Sequence, residues 1–363
     1  MRIGIDARQL CGAQTGVGRY LSGLVGEWAT DAAGARHEFV LYVPEPLGQA
    51  AAGLIAPRFA TRVVPGASGA WWEQMQLPRA AALDRLDVFF APQYSAPLNM
   101  RTPTVVAIHD VSFAAHPEWF RWREGLRLRW LSRRAAANAR AVVTISEFSR
   151  RELVERLNVA DKKIRVIPPG IPERRVTMGG SREPRLLFVG SIFNRRHVVD
   201  LIRAFAEIAR AHPEASLDLA GDNRSYPRED VNAAIDREGL GGRVRWHQYV
   251  SDEQLADLFG RARAFAFLSE YEGLGLTPLE ALAAGAPPML LDTPVARESC
   301  GDAALYVELG TPATIAATLD RLLFDEHTRA RLLAAAPGVL AKYSWPRAAH
   351  DTLAVLEESA AAS

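Results

Sequence analysis

The stretch AFAFLSEYEGLGLTPLEALAAGAPPMLLD (264–292) decides the fold class of this chain. It begins with the apolar run AFAFLS (264–269), passes through a glycine-rich turn into a helical pattern at 278–284, and ends in PMLLD (288–292). A strand, a helix and a second strand in this order form a parallel βα unit. Glycines let the backbone approach a ligand closely, and N–H groups at a helix start commonly hold anions. We therefore expect a parallel sheet with a phosphorylated ligand at its carboxyl edge.

The helix start within this stretch has a simpler interpretation that involves no ligand. The segment TPLE (277–280) fits a capping box, with Thr277 at the N-cap, proline in the first helical position and Glu280 three residues after the cap. Gly285 predicts the end of the helix. Glu280 is therefore explained by local structure alone, whereas Glu272 and the glycines that follow it are not.

The same alternation of apolar runs and helical patterns continues along the chain and predicts two α/β domains. In the first half, strands are predicted at 2–7, 38–43, 87–91, 104–109, 141–146 and 164–168. In the second half they are predicted at 185–190, 216–221, 243–250, 264–269 and 288–292. Helices are predicted at 17–29, 121–139, 149–157, 197–211, 251–262, 278–284, 312–323, 327–342 and 346–358. The Pro- and Gly-rich stretch 168–184 separates the halves and indicates a linker.

Composition excludes several classes of protein. The chain has 363 residues, 48% of them hydrophobic and 23% charged, with a net charge of +1, so bulk nucleic-acid binding is not expected. Cys11 and Cys300 cannot form a disulfide framework or a zinc site by themselves, which favours a reducing compartment. The start MRIGIDARQL (1–10) has the pattern of a strand, and no apolar run reaches the roughly 20 residues that span a bilayer. We expect a soluble, cytoplasmic protein.

Several motifs in a fixed order resemble the glycosyltransferases of family 4, which have the GT-B fold. In chain order these motifs are TGVGRY (15–20), TVVAIHDVSF (104–113), VVTISEFSRRELVERL (142–157), IRVIPPGI (164–171), LLFVGSIFNRR (186–196) and SEYEGLGLTPLEALAAGAP (269–287). The resemblance implies an α/β protein of two Rossmann-like, doubly wound domains that face a cleft. It assigns residues 1–170 to an acceptor domain, 171–184 to a linker and 185–344 to a nucleotide-sugar domain. The final helix, within 345–363, is expected to cross back to the first domain.

By this resemblance, Glu272 would bind hydroxyls of the transferred sugar, and Glu280 would bind the ribose of the nucleotide. Ionised carboxylates suit both roles because they accept hydrogen bonds from neighbouring hydroxyls. The backbone between them is expected to face the diphosphate, through Gly273, Gly275, Leu276 and Thr277.

Arg195 and Arg196 are predicted to stabilise the diphosphate as it departs, because negative charge grows there and a fixed cation lowers the barrier. The family usually has Lys at the position of Arg196, and an arginine keeps the charge but presents a planar fork. Solvated arginines at a helix start are the alternative. Gly16 and Gly18 lack the third glycine of a dinucleotide fingerprint, since Leu21 stands there. They fit a loop whose helix start approaches the diphosphate, or an ordinary tight turn.

His109 and Asp110 end the predicted strand 104–109. In the family this histidine contacts the donor sugar or the acceptor region, while the alternative is a buried core histidine. Asp110 would either orient His109 or cap the next turn. The nucleobase is expected near Tyr249 and Val250, an assignment that rests on the resemblance. No cofactor and no metal are expected, because no Asp-x-Asp pair and no His/Cys cluster with ligand spacing occurs in the sequence.

The predicted function is that of a retaining transferase that moves a hexose from a nucleoside diphosphate sugar to a saccharide or lipid-linked saccharide. GDP-mannose is the first expectation for the donor, because the N-terminal pattern resembles bacterial mannosyltransferases of polysaccharide assembly. UDP-glucose, UDP-N-acetylglucosamine and dTDP-rhamnose remain open. In such enzymes the acceptor is thought to attack on the face from which the leaving group departs, without a covalent intermediate. A sugar-nucleotide epimerase of the same fold and a non-catalytic subunit that binds nucleotide sugars remain as alternatives.

One basic segment raises a separate question. EWFRWREGLRLRWLSRRAAANAR (118–140) has seven arginines and two glutamates, interleaved with aromatic residues. It would suit the surface of an anionic membrane, at the inner face, beside a lipid-linked acceptor. The alternative is a packed helix whose Trp and Leu residues enter the core while the arginines stay solvated.

Overall fold

Two compact units make up the protein. The computed structural model describes residues 1–12, 16–55, 57–171 and 182–361. One unit comprises Met1–Gly170 and Tyr343–Ser363, and the other comprises Ile171–Lys342. Each unit has its own parallel sheet, as the βα pattern of the sequence predicts. Most of the predicted linker 171–184 lies outside the described residues.

The strands of both sheets are short, and all of their pairings are parallel. In the first unit they are β1 Arg2–Asp6, β2 Glu38–Val43, β3 Phe59–Val63, β4 Val88–Ala91, β5 Thr104–Ala107, β6 Ala141–Thr144 and β7 Ile164–Val166. In the second unit they are β8 Arg185–Val189, β9 Ser216–Ala220, β10 Val244–His247, β11 Ala264–Phe267, β12 Pro288–Leu291 and β13 Leu305–Val307. The sheet orders are β3-β2-β1-β4-β5-β6-β7 and β10-β9-β8-β11-β12-β13.

The helices that connect these strands vary from a single turn to 17 residues. In chain order they are α1 Gly16–Thr30, α2 Gln49–Ala52, α3 Leu77–Ala81, α4 Ser112–Ala115, α5 Trp122–Asn138, α6 Glu147–Leu157, α7 Val198–Ala211, α8 Val231–Arg237, α9 Asp252–Arg261, α10 Leu276–Ala283, α11 Pro294–Cys300, α12 Pro312–Phe324, α13 Glu326–Leu340 and α14 Trp345–Ala361.

The central strands are apolar runs without alternation because they are buried on both faces. Every residue of β4 and every residue of β11 is buried. Parallel sheets covered on both sides have this composition. The apolar runs of the sequence therefore predict these strands well.

Each sheet has a point where the strand order reverses beside its first strand. In the first unit the chain proceeds from β1 to β2 and β3, and then returns to place β4 on the other side of β1. In the second unit β11 lies beside β8 in the same way. Ligands of open α/β sheets bind outside the carboxyl ends of the strands at such points. The loops after β8 and β11 are therefore the place to look for a site in the second unit.

The last helix packs within the first unit, as the family resemblance predicts. α14 lies against α1 and against β4. The indole N–H of Trp28, in α1, donates a hydrogen bond of 2.9 Å to the carbonyl of Ala349. Trp345 at the start of α14 lies so close to Gly23 that only a hydrogen atom fits between them.

Some elements differ from the sequence prediction. β3 was not predicted, because four of its five residues are exposed and it lies at the edge of the sheet, so it lacks an apolar run. β13, α8 and α11 are three to seven residues long and show little periodicity. β10 is shorter than the predicted strand 243–250, which places Tyr249 and Val250 outside the sheet.

The predicted capping box at 277–280 is wrong. α10 begins at Leu276, and its N-cap is Gly275, with a φ of 88° and no side-chain cap. Thr277 and Glu280 therefore lie inside the helix. Glycine adopts this left-handed conformation at little cost, so the backbone itself starts the helix here. The predicted end at Gly285 is confirmed, since the helix ends at Ala283 and Gly285 has a φ of 78°.

The close approach of α1 and α14 predicts a sharp difference between two glycines of the same helix. A Cβ at Gly23 would lie 2.5 Å from the Trp345 ring, whereas a Cβ at Gly26 would meet no described atom within 4 Å. We expect Gly23→Ala to lower the free energy of unfolding by about 1–3 kcal/mol through overpacking. Gly26→Ala should raise it by up to about 1 kcal/mol, because alanine is the better helix former. Denaturant unfolding of both variants measures this, and equal effects would contradict the packing.

Candidate donor site

The candidate site of the second unit lies at the reversal of strand order. The loop after β8 contains Arg195 and Arg196, and the loop after β11 contains Glu272. Since β8 and β11 are parallel neighbours, their carboxyl ends lie side by side. The site therefore joins residues that are 76 positions apart in the sequence.

Arg196 and Glu272 form the central ion pair of this site. The Arg196 Nε and Nη2 groups donate hydrogen bonds of 2.9 and 2.7 Å to Oε1 of Glu272. The Ser269 hydroxyl donates to the same oxygen at 2.8 Å. Among the described residues none donates to Oε2 of Glu272, whose side chain remains 20% exposed. One carboxylate oxygen thus fixes the side chain, and the other is free to accept a ligand hydroxyl.

Aromatic rings and a glycine fix the plane of the Arg196 guanidinium. The group lies over Phe267 at 4.9 Å and over Phe193 at 5.5 Å, and its Nη1 donates to the carbonyl of Ser191 at 2.9 Å. A Cβ at Gly190 would lie 2.7 Å from Nη1. Gly190 has a φ of 144°, a conformation that residues with side chains rarely adopt. The backbone conformation at this position therefore favours glycine, and a Cβ here would also force the end of the Arg196 side chain to shift.

His197 links the two loops through its ring nitrogens, a role that no pattern in the sequence predicted. Its Nε2 lies 2.7 Å from Oε1 of Glu270, and its Nδ1 lies 3.2 Å from Oδ2 of Asp200. The backbone N–H of Glu270 also donates to the carbonyl of Arg195 at 3.0 Å. His197 adopts a left-handed conformation with a φ of 49°, which is uncommon for a residue with a side chain. The adjacent Arg196 is thereby held in position relative to the Glu272 loop.

The glycine turn after Glu272 leads into the first turn of α10. Because Leu276 and Thr277 occupy that turn, their backbone N–H groups have no acceptor within the helix. Such groups attract anions. Glu280 lies one turn further along and its side chain is only 4% exposed. Its predicted contact with a ribose remains a prediction.

The first unit holds His109 at the carboxyl end of β5. Its Nε2 lies 2.9 Å from the carbonyl of Pro92, which can only accept, so Nε2 carries the proton of the neutral ring. The other nitrogen, Nδ1, is then an acceptor and makes no hydrogen bond with the part of the chain that the structure describes. The ring packs against Tyr20 and Tyr94 at centroid distances of 4.5 and 6.3 Å. Burial lowers the pKa of His109, which favours the neutral form.

Among the described residues, Asp110 makes its hydrogen bonds with groups other than His109. Its carboxylate accepts hydrogen bonds of 2.9 Å from the Tyr94 hydroxyl and from the backbone N–H of Ser112. The second hydrogen bond satisfies the start of α4, so the capping alternative is the one that the structure supports. A short side chain two residues before a helix start more often caps the turn than reaches its neighbour.

Gly16 and Gly18 lie within the first turn of α1, and not in a loop before it. A Cβ at Gly16 would meet no described atom within 4 Å, so packing does not explain this glycine. Gly18 is buried. Their predicted approach to a diphosphate stays a prediction.

Arg8 lies close to the reversal point of the first sheet, but it is already neutralised. It donates to Asp6, the last residue of β1, at 2.7 Å and lies 3.0 Å from the carboxylate of Glu73. All three side chains are buried, and burial raises the pKa of Glu73. A cation that is paired with two carboxylates has little net charge left to bind a phosphate. Arg8 therefore stabilises the buried carboxylates of the first unit.

Comparison with known proteins identifies the family. The family model described as "Glycosyltransferase Family 4" matches residues 15–175, and the model "Glycosyl transferases group 1" matches residues 173–338. The chain belongs to glycosyltransferase family 4. This glycosyltransferase has the GT-B fold, as the motifs predicted.

Two relatives and one solved structure illustrate what the enzyme resembles. It is 25% identical over 289 residues to the O-antigen chain mannosyltransferase B of Escherichia coli, with 73% of each chain covered. It is 28% identical over 194 residues to the GDP-mannose:cellobiosyl-diphosphopolyprenol alpha-mannosyltransferase of Xanthomonas oryzae pv. oryzae, covering 53% of this chain and 50% of the relative. The crystal structure of Anabaena Alr3699/HepE in complex with UDP and glucose matches with a TM-score of 0.77 and 18% identity, covering 99% of this chain and 100% of that one.

The structure brings some of the predicted site residues of this glycosyltransferase together within the second unit. Arg195, Arg196, Glu272 and the start of α10 form one cluster in the second unit. Tyr249 is 84% exposed and Val250 is half-buried beyond the end of β10, so their predicted contact with a nucleobase stays a prediction. Among the described residues no group of three His, Cys, Asp or Glu side chains could hold a metal ion.

The buried neutral state of His109 predicts a pH dependence of stability. The pKa of His109 lies below the ordinary value of 6.5, so the unfolded chain takes up a proton before the folded one. The free energy of unfolding should fall as the pH drops below about 6.5. His109→Gln keeps a donor for the Pro92 carbonyl but cannot titrate, so its decline between pH 7 and 5 should be shallower. His37, whose pKa is also lowered by burial, sustains part of the slope.

Denaturant unfolding at several pH values measures this slope. An identical slope in the wild type and in His109→Gln would show that the histidine is not held neutral by the fold.

Proposed function

We propose that this glycosyltransferase is a retaining mannosyltransferase that uses GDP-mannose and a saccharide or lipid-linked saccharide acceptor, without a metal ion. The Arg196–Glu272 pair carries the proposal, because it combines a fixed cation with a carboxylate that has an oxygen left for a hydroxyl. The printed names of both relatives support mannose as the sugar, and one of them names GDP-mannose and a diphosphopolyprenol acceptor. Both cysteines are free, and we place the reaction in the reducing cytoplasm.

The hydrogen-bond inventory of Arg196 supports its role toward the diphosphate. A guanidinium has five N–H groups. Three of them bind Glu272 and the Ser191 carbonyl. The remaining N–H groups, on Nη1 and Nη2, have no acceptor in the described part of the chain and could bind phosphate oxygens. Glu272 removes much of the net charge of Arg196, so Arg195 supplies the additional positive charge that a departing nucleoside diphosphate requires.

Glu272 acts on the sugar through its free oxygen. Oε2 would accept a hydrogen bond from a hydroxyl of the mannose, while Oε1 stays bound to Arg196 and Ser269. A charged acceptor makes a stronger hydrogen bond than a neutral one. The same side chain then couples the position of the sugar to the position of the arginine that receives the leaving group.

The remaining steps use no covalent intermediate. The acceptor hydroxyl attacks the anomeric carbon on the face that the diphosphate leaves, and a phosphate oxygen takes the hydroxyl proton. The bond from the anomeric carbon to the diphosphate breaks as the new glycosidic bond forms. The arginines and the N–H groups at the start of α10 supply the counter-charge for the diphosphate. In the first unit, the neutral His109 would accept a hydrogen bond through Nδ1 from a hydroxyl of a saccharide bound there.

The donor is tested by thermal unfolding in the presence of nucleotide sugars. A ligand that binds the folded state at about 100 times its Kd adds about 2.7 kcal/mol to the free energy of unfolding and raises the Tm. We expect GDP-mannose to raise the Tm more than UDP-glucose, UDP-N-acetylglucosamine or dTDP-rhamnose does. A shift with UDP sugars alone would refute the proposed donor. Turnover should persist in a chelator, and its loss there would refute the metal-independent step.

Two variants test the roles of the ion pair. We expect Glu272→Ala to lower kcat about 100-fold or more while the Tm changes little, because the side chain is partly exposed. Arg196→Ala should weaken GDP binding by about 1.5–3 kcal/mol in calorimetry, the usual worth of charge-assisted hydrogen bonds. Arg210→Ala, near the end of α7 where the side chain is exposed, serves as the matched control and should leave both quantities unchanged.

The same assays distinguish the alternative functions. Near-normal transfer by Glu272→Ala, or unchanged GDP affinity in Arg196→Ala, would overturn the assigned roles. Epimerised nucleotide sugar formed without an acceptor would identify an epimerase. Tight GDP binding without turnover on any acceptor would identify a non-catalytic subunit.

A further inference from the structure

Helix α5 buries its small residues and exposes its large apolar residues, which is the opposite of an ordinary amphipathic helix. Its buried residues are Gly125, Leu131, Ser132, Ala135 and Ala136, four of which are small. In contrast, Trp122 is 68% exposed, Leu126 is 58% exposed and Trp130 is 54% exposed. Amphipathic helices of globular proteins normally direct such large apolar residues toward the core. The packing of α5 therefore explains the small residues but not the tryptophans.

The three large residues form one stripe. They are four positions apart, which places their side chains on one face of the helix, one turn above the other. Only part of the predicted core packing of segment 118–140 is confirmed: Phe120, Leu128 and the buried Leu131 pack inward. A contiguous exposed apolar surface, unlike single exposed residues, marks a site of interaction.

Arginines flank the stripe. The Arg123 guanidinium lies 5.1 Å from the Trp122 ring, and that of Arg134 lies 5.9 Å from the Trp130 ring. Arg127 follows Leu126 directly and is exposed. Segment 118–140 carries a net charge of +5 while the whole chain has a net charge of +1. The excess of positive charge in this segment therefore surrounds the two exposed tryptophans of α5.

We propose that the outer face of α5, formed by Trp122, Leu126 and Trp130 with Arg123, Arg127 and Arg134, binds the surface of an anionic lipid bilayer. The helix would lie in the plane of the surface, with the indole rings and Leu126 at the boundary between headgroups and acyl chains. The arginines would bind the lipid phosphates. In the part of the chain that the structure describes, no helix has the length and hydropathy of a membrane span.

The charge of this face selects a bilayer over a second copy of the chain. A symmetric dimer through α5 would bring two faces of the same strong positive charge together, at a cost in Coulomb energy. An anionic bilayer supplies both an opposite charge and an apolar layer. A nucleic acid would supply the charge but would leave Leu126 without a matching surface.

This proposal goes beyond the proposed function and does not depend on it. Lipid binding requires neither the donor nor Arg196 and Glu272. A protein that bound another nucleotide sugar, or that failed to turn over, would still bind the bilayer through α5.

Sedimentation of the full chain with lipid vesicles tests the proposal. One set of vesicles contains phosphatidylcholine alone, and the other contains in addition about one third phosphatidylglycerol. We expect the wild type to sediment with the anionic vesicles and to remain in the supernatant with the neutral ones. The triple variant Trp122→Gln, Leu126→Gln, Trp130→Gln should bind the anionic vesicles about tenfold more weakly or worse. Trp71→Gln with Leu83→Gln removes other exposed apolar residues of the same unit and should bind as the wild type does.

A second set of variants tests the charge. Each arginine near an anionic surface contributes about a fivefold factor in affinity, so Arg123→Gln, Arg127→Gln and Arg134→Gln together should weaken binding about 100-fold. Arg228→Gln, Arg321→Gln and Arg331→Gln remove the same charge from the second unit, where these side chains are exposed, and should change binding little. The wild type should also lose affinity as salt is added.

Several outcomes would overturn the proposal. Equal binding to neutral and anionic vesicles, no binding to either, or unchanged binding of both triple variants would each refute it. Binding of a single-stranded oligonucleotide in place of vesicles would identify a nucleic-acid surface. A dimer in sedimentation velocity that the tryptophan variant abolishes would identify an interface between copies. The substituted residues are exposed, so the Tm of each variant should match the wild type and exclude loss of folding.

Discussion

The reversal of strand order beside the first strand of each sheet is the constraint on which the candidate donor site depends. In the second unit it places the carboxyl ends of β8 and β11 next to each other. Two loops that are distant in sequence then share one space, and Arg196 reaches Glu272 across it. The contact between these loops cannot be predicted from helix periodicity or from turn residues, because it depends on which strands are neighbours in the sheet.

Hydrogen bonds to common partners, more than burial, fix the positions of the charged side chains at this site. One carboxylate oxygen of Glu272 receives Arg196 and Ser269, which leaves the other oxygen for a ligand. His197 and the backbone of Glu270 hold the two loops in register. A site whose groups are already oriented loses less free energy when it orders a substrate. In the first unit, by contrast, Arg8 is paired with two buried carboxylates, those of Asp6 and Glu73, and has little charge left for a ligand.

How far the sequence predicted the structure depended on how much of each element is buried. β4, β11 and β12 are apolar throughout and were predicted within one or two residues, whereas the exposed edge strand β3 was not predicted at all. The capping box at 277–280 failed because the N-cap of α10 is Gly275, two residues before the Thr that fits the pattern. Of the site, the arginines, Glu272 and His109 came from a motif resemblance. The roles of Glu270, His197 and Ser269 were not predicted, because they consist only of contacts between loops.

The sequence by itself determined the α/β class, the division into two βα series and the membership of a glycosyltransferase family. These properties are local or ordered along the chain, so periodicity and motif order suffice to identify them. Only the tertiary structure decided that Asp110 caps a turn, that Arg196 pairs with Glu272, and that the tryptophans of α5 point away from the core. Each of these depends on which surface a neighbouring element covers. In α5 the small residues Ala135 and Ala136 fill the space against the sheet, and the larger side chains are left outside.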